Sequence, residues 1–249
     1  LKGKGVQEIS AASPVCLFEM GRNQWKELTT WPTKVSQPEG ERSGLRHELL
    51  FLHSAGISHI REDSGVLSAV RESKSMQDVV VHDPWNPVPS LGGHSAIPAG
   101  SFDRTAIDLR GDVLTYTTAP LTEEMRVTGI VEFFGASASS KPSYDLCAVL
   151  SRVQAGKVFN LTQGYCKVDV VEVDKVSTLS LQLHPTCFSL LPGECLRLSL
   201  SASCFPAYPI NSGTGSPLHE SRLIDANIIT LMLTIGGEQG AKILLPVCY

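Results

Sequence analysis

An all-β fold, a sandwich or barrel, is what this sequence predicts, and three observations carry that reading. Apolar and polar residues alternate with period two in about eight separate runs. Turn signals rich in glycine, proline and asparagine separate the runs. No long helical period is present, so helix content should be low, with the best short candidate near 218–226. Hydrophobic residues make up 42% of the 249, enough for a substantial core in one large or two small domains.

PVCLFEMG reads as the first strand. GRNQWKELTTWP reads as a short irregular or helical connection stopped by Pro32, and residues 33–44 as a polar loop. ELLFLHS is a second strand, and 57–78 is polar and largely unpatterned. Two or three strands cannot easily bury a core alone, so residues 1–81 are expected to be the tail of something larger or a flank wrapped on the later strands. HDPWNPVPSLGGHSAIPAG, 82–100, is stiffened by proline and reads as a crossing between units. From there the strands are regular. Val127, Gly129, Val131 and Phe133 alternate with polar neighbours, and Leu146, Ala148 and Leu150 come after a turn at SSKPS. KVFNL, YCKVDVVEV, LSLQLH, CLRLSLSAS, NIITLMLTI and KILLPV complete the series. Leu179, Leu181 and Leu183 should share one face, as should Leu196, Leu198 and Leu200.

Composition excludes several functions. The formal charge is −4 and no basic run occurs, so nucleic-acid binding lacks its electrostatic footprint. No run approaches about eighteen consecutive apolar residues, so no membrane-spanning helix is expected. Seven cysteines, odd in number and irregularly spaced, fit a reducing, cytoplasmic setting better than a disulfide framework. The chain begins LKGKG without Met, which leads us to expect a natural N-terminus further upstream.

Catalytic machinery is not visible. GHSAI puts Ser95 in a near miss to the G-x-S-x-G nucleophile elbow, a strained strand-to-helix turn that needs small residues on both sides of the serine. Gly93 fits, but the β-branched Ile97 stands where the second small residue is required. Pro84, Pro87 and Pro89 argue against a leading central strand, and Pro98 and Gly100 against a helix after it. His184 and His219 lie downstream without a distinctive setting. His82 and Asp83 lack further ligands at metal-binding spacing, and the Asp–Pro step reads as turn chemistry. GTGS at 213–216 lacks the lysine and helix of a phosphate loop. Asp145, at a strand start, reads as a turn cap, and the sequon Asn160-Leu161-Thr162 as a chance match.

Longer motifs carry a resemblance. HDPWNPVPSLGG, FDRTAIDLRGDVLTYTTAPLTEEMRVTG, SYDLCAVLSRVQAGKVFNLTQGYCKV and LHPTCFSLLPGECLRLSLSASCFPAYPINSGTG occur in that order, and ILLPV closes the series. Together they resemble the C-terminal part of CocE/NonD hydrolases, α/β-hydrolase-fold serine enzymes that include X-Pro dipeptidyl-peptidases, cocaine esterase and α-amino-acid ester hydrolases. PVCLFEMGRNQW and the WP after it resemble the end of that family's hydrolase domain. Ala207 and Pro209 stand where the family has Arg and Asp, and Thr105 where it often has Arg.

The resemblance implies a jelly-roll β-sandwich of galactose-binding-like fold over 82–249, packed on a hydrolase domain whose tail is 1–81. It implies that the catalytic serine, acid and histidine lie upstream of residue 1, that no cofactor or metal is used, and that the partners are the upstream hydrolase domain, further copies of the chain, and a small peptide, amide or ester substrate. Asp83, Pro84, Trp85 and Pro89 would line the domain junction, and His94, Ser95, Ala96 and Ile97 the substrate pocket. The alternative is a free-standing carbohydrate- or protein-binding module. The low aromatic content, 6%, and the placement of Trp25, Trp31 and Trp85 outside the main strand array argue against it.

Overall fold

The computed structural model describes residues 15–31, 45–60, 64–94 and 98–248. Val15–Glu19 (β1) and Gln24–Leu28 (β2) form an antiparallel hairpin. Leu45–His53 (β3), Val66–Ser68 (β4) and Met76–His82 (β5) come next. After the crossing and a one-turn helix, Thr105–Asp108 (α1), come Val113–Thr117 (β6), Met125–Gly129 (β7), Glu132–Ser139 (β8), Ser143–Gln154 (β9) and Lys157–Asp169 (β10). Ser177–Gln182 (β11), Thr186–Leu190 (β12), Cys195–Ser201 (β13), Ile229–Ile235 (β14) and Lys242–Cys248 (β15) complete the chain. The region near 218–226 forms two 3-10 turns, Leu218–Glu220 and Leu223–Asp225.

One hydrogen-bonded path runs β10-β9-β13-β6-β4-β3-β15-β8-β14-β5, with β11 added to β8 and the β7–β12 pair joined through β15. Nearly all pairings are antiparallel, and the order interleaves early and late strands, as in a jelly roll. The path folds back on itself. Leu146, Leu150, Leu198, Leu200 and Tyr116 from one limb meet Phe133, Leu231, Leu233, Ile243 and Leu245 from the other in a single core. Leu181 and Leu183 are buried, as are Leu196, Leu198 and Leu200, so the alternation read from sequence points inward as expected.

The sequence expectation changes in the N-terminal third. QWKEL is a strand, β2, and not an irregular or helical connection. The boundary expected between residues 81 and 82 falls inside the hydrogen-bonded sheet: β3 pairs with β15, β4 with β3, and β5 with β14. Of the flank expected to precede the sandwich, the described part outside the main sheet is the β1–β2 hairpin and the residues to Trp31. The hairpin docks on β12 through Met20, whose N–H donates to the Cys187 carbonyl at 3.0 Å and whose carbonyl accepts from the Ser189 N–H at 2.9 Å.

Strand β9 is buried along nine consecutive residues, because both of its faces are covered. Its inner face holds Leu146, Ala148 and Leu150. Over the outer face of the same limb lie the crossing and α1, where Val88, Ile107 and Val113 make a second, smaller cluster. Asp108 of α1 anchors this layer. It accepts from Arg104 Nε at 2.9 Å and from Ser199 Oγ on β13 at 3.0 Å, and Arg197 Nη1 lies 3.6 Å away.

Candidate functional site

The crossing begins with a turn built by Asp83, whose carboxylate accepts from the Trp85 N–H at 3.0 Å and whose carbonyl accepts from the Asn86 N–H at 3.0 Å. Pro84 is buried and Trp85 is 53% exposed. Pro89 then bridges Phe205 in parallel register, fixed by Ser90 N–H to Phe205 O at 2.7 Å and Phe205 N–H to Val88 O at 2.9 Å. The lack of ladder donors at the prolines suits a segment laid over a sheet rather than inserted in it.

At Gly92 and Gly93 the chain turns out of this layer. Both adopt positive φ, +64° and +81°. A Cβ at Gly92 would meet Gly100 O at 2.3 Å, and one at Gly93 would meet Gln163 Oε1 at 2.6 Å. Only glycine satisfies both demands. Gly93 and Gly100 then exchange hydrogen bonds of 2.7 and 2.9 Å, closing the neck of a short loop. Asn160 clamps the neck, donating to Gly100 O at 3.1 Å and accepting from Phe102 N–H at 2.7 Å. The sequon asparagine is therefore buried and occupied as a structural clamp.

Of the four residues expected to line a substrate pocket, His94 is described and exposed, while Ser95, Ala96 and Ile97 lie outside the described residues. The neck is an antiparallel bridge, and the next helix, α1, is a single turn beginning at Thr105. The strand-to-helix geometry of a nucleophile elbow is thus not what flanks Ser95.

His94 meets a group of residues that sequence reading does not assemble. Its ring lies 3.7 Å from that of His184, centroid to centroid. His184 Nε2 is 3.1 Å from the Tyr208 hydroxyl, and Tyr208 stacks on Tyr165 at 4.5 Å. Burial and the neighbouring His94 hold the His184 imidazole below its ordinary pKa, favouring the neutral ring. The backbone of His184 is fixed by Thr162 Oγ1, which donates to its carbonyl at 2.6 Å, and by the Gln163 carbonyl, which accepts from its N–H at 2.8 Å. A cleft of about 220 Å³ opens beside this group, between Met20 of the hairpin turn, His94, Leu161 and Gln163. Two imidazoles, that of His184 favoured in its neutral form, and two phenols can bind, orient and shape. Among the described residues no cluster of three or more His, Cys, Asp or Glu is arranged for a metal.

The signal for Gln163 and Tyr165 is their spacing on β10, which puts both side chains on one face. His184 and Tyr208 come from distant loops, and no local pattern marks them.

Comparison with known proteins agrees with this architecture. Residues 8–239 match the family described as the X-Pro dipeptidyl-peptidase C-terminal non-catalytic domain. Cocaine esterase from Rhodococcus sp. (strain MB1 Bresler) is 28% identical over 259 residues, covering 98% of this chain and 43% of that protein. Among solved structures, an α-amino acid ester hydrolase superposes with a TM-score of 0.77 at 22% identity, covering 94% of this chain and 41% of that one. An aminopeptidase from a marine sediment Thaumarchaeota archaeon gives 0.76 at 21% identity, covering 94% and 40%. The chain thus spans less than half the length of the proteins it matches. It belongs to the family of X-Pro dipeptidyl-peptidase C-terminal non-catalytic domains, the β-sandwich portion of CocE/NonD-type hydrolases.

Proposed function

We propose that this domain stabilises a serine hydrolase and shapes its substrate cleft, the hydrolase cleaving small peptide, amide or ester substrates through an acyl-enzyme formed in the upstream catalytic domain. The family match over residues 8–239 carries this reading. In it, the segment whose neck is gripped at Gly93 and Gly100 lies at the mouth of the cleft, with His94, Ser95, Ala96 and Ile97 contributing lining. The double clamp by Asn160 and the His94–His184 contact support that role, since a group that shapes a pocket must be held in place.

The junction is assigned to the start of the crossing, Asp83, Pro84, Trp85 and Pro89, together with the hairpin. Phe18 and Trp25 support the hairpin's part in it. They pack edge to face at 5.4 Å, yet stand 42% and 70% exposed, which leaves a large aromatic surface for a neighbour. Self-association through the same apolar surfaces is a second use of them. Seven free thiols fit a reducing, cytoplasmic setting.

The test is made in the full-length enzyme. Replacing residues 94–99 by a two-residue turn should alter KM and the ranking of ester substrates while thermal stability stays close to that of the parent. An unchanged substrate profile would overturn the role given to the loop.

A further inference from the structure

We propose that a pocket beside Asp145 binds a small organic ammonium ion with a compact apolar body. Asp145 is 1% exposed and sits on β9 at the wall of a cavity of about 150 Å³. Its hydrogen-bond partners are neutral: Asn211 Nδ2 donates to Oδ1 at 2.7 Å, and the Tyr165 hydroxyl also bonds the carboxyl. Other buried carboxylates of the chain are differently served. Asp108 meets Arg104, Glu19 meets Lys26 at 2.6 Å, and Asp78 is enclosed by Ser54 and Tyr116. Lys167 also lines the pocket and its charge favours the ionised Asp145, but its Nζ is paired with Asp169 at 2.9 Å and makes no hydrogen bond to Asp145. Asp145 is therefore a buried acid on the wall of a cavity, with neutral groups as its direct hydrogen-bond partners, and a carboxylate can accept more bonds than the two from Asn211 and Tyr165.

The surroundings define the rest of the ligand. Pro209, Ile210, Leu218 and the Tyr165 ring give the pocket an apolar wall. A cavity of this size admits a single six-membered ring or a short alkyl chain. Asn211 is locked in orientation, because its Oδ1 accepts from Ser143 Oγ at 3.0 Å and from the Gly213 N–H at 2.8 Å. The site is thus preorganised around the carboxyl. Burial raises the Asp145 pKa to about 6, so the charge that would hold the ammonium is complete only above that pH.

The 249-residue chain is titrated with benzylammonium, benzyl alcohol and benzoate, and binding is followed by NMR shifts of amides around Asp145 and Tyr165. The proposal predicts saturable binding of benzylammonium, at least about tenfold weaker binding of the isosteric alcohol, and none of benzoate. Affinity should rise as pH is raised from about 5 to about 7.5, by about fivefold or more, and the rise should vanish in Asp145→Asn. Leu218 is 57% exposed, so Leu218→Lys keeps the fold while placing a competing ammonium at the mouth, and it should abolish binding. Equal binding of alcohol and ammonium, unchanged affinity in either variant, or no saturable shift would each overturn the proposal.

Discussion

Replacing Asp108 with alanine probes how the crossing layer is held on the sandwich. The carboxylate is 4% exposed and its two guanidinium neighbours, Arg104 and Arg197, are 6% exposed each. It accepts from Arg104 at 2.9 Å and from Ser199 at 3.0 Å, with Arg197 at 3.6 Å. Removing it strips the buried Arg104 guanidinium of its paired carboxylate, a change that costs about 3–5 kcal/mol even though the intact network contributes little against an apolar substitute. Domains of this kind are stable by about 5–15 kcal/mol, so the loss takes a large share of the total. With a urea slope of about 3 kcal/mol/M, the unfolding midpoint should fall by about 1–1.7 M. Equilibrium unfolding followed by far-UV circular dichroism and by Trp85 fluorescence, in a Trp25→Phe, Trp31→Phe background that leaves Trp85 as the single tryptophan, measures it. The fluorescence change should begin at lower urea than the loss of strand signal, because Trp85 rides on the layer that Asp108 anchors. A midpoint within about 0.3 M of wild type would refute the view that this cluster fastens the crossing to β13.

The same structure sets three further outcomes. Asp145 has its pKa raised from 3.8 to about 6, so its contribution to stability is fully present below its unfolded pKa and is lost as pH rises through about 6. Between about pH 4.5 and about pH 7.5 this amounts to about 2 kcal/mol, which urea midpoints should show in wild type and not in Asp145→Asn. Native alkylation mapped by mass spectrometry should modify Cys16, which is exposed, well before Cys147 and Cys204, which are buried and whose thiols burial pushes up in pKa; early labelling of Cys147 would contradict the packing of β9. Gly93→Val should destabilise by about 2 kcal/mol or more, from its positive φ and its contact with Gln163, and loosened amide exchange at Gly100 would mark the opened neck.

Much of this architecture is legible in the residues. Leu196, Leu198 and Leu200 lie at 0, 0 and 1% exposure because period two in sequence is period two in space. Where strands violate that rule, the reading fails. β2 is an outlying hairpin strand with three exposed and two half-buried residues, so QWKEL lacks the alternation of a core strand. In β5, the buried Asp78 interrupts the apolar pattern, and its partners Ser54 and Tyr116 are far away in sequence. The candidate site is hidden for the same reason. P-S-L-G-G marks a place, but the need for its glycines comes from Gly100 and Gln163, and the His94–His184–Tyr208–Tyr165 group exists only after the crossing, β10 and the 202–212 segment are stacked together.

The central claim is that this chain is a non-catalytic domain, and intact mass after treatment with a fluorophosphonate serine probe tests it most directly. The account predicts an unshifted mass for the purified 249-residue chain. A stoichiometric shift mapping to Ser95 would contradict it, because the chain would then hold an activated nucleophile of its own.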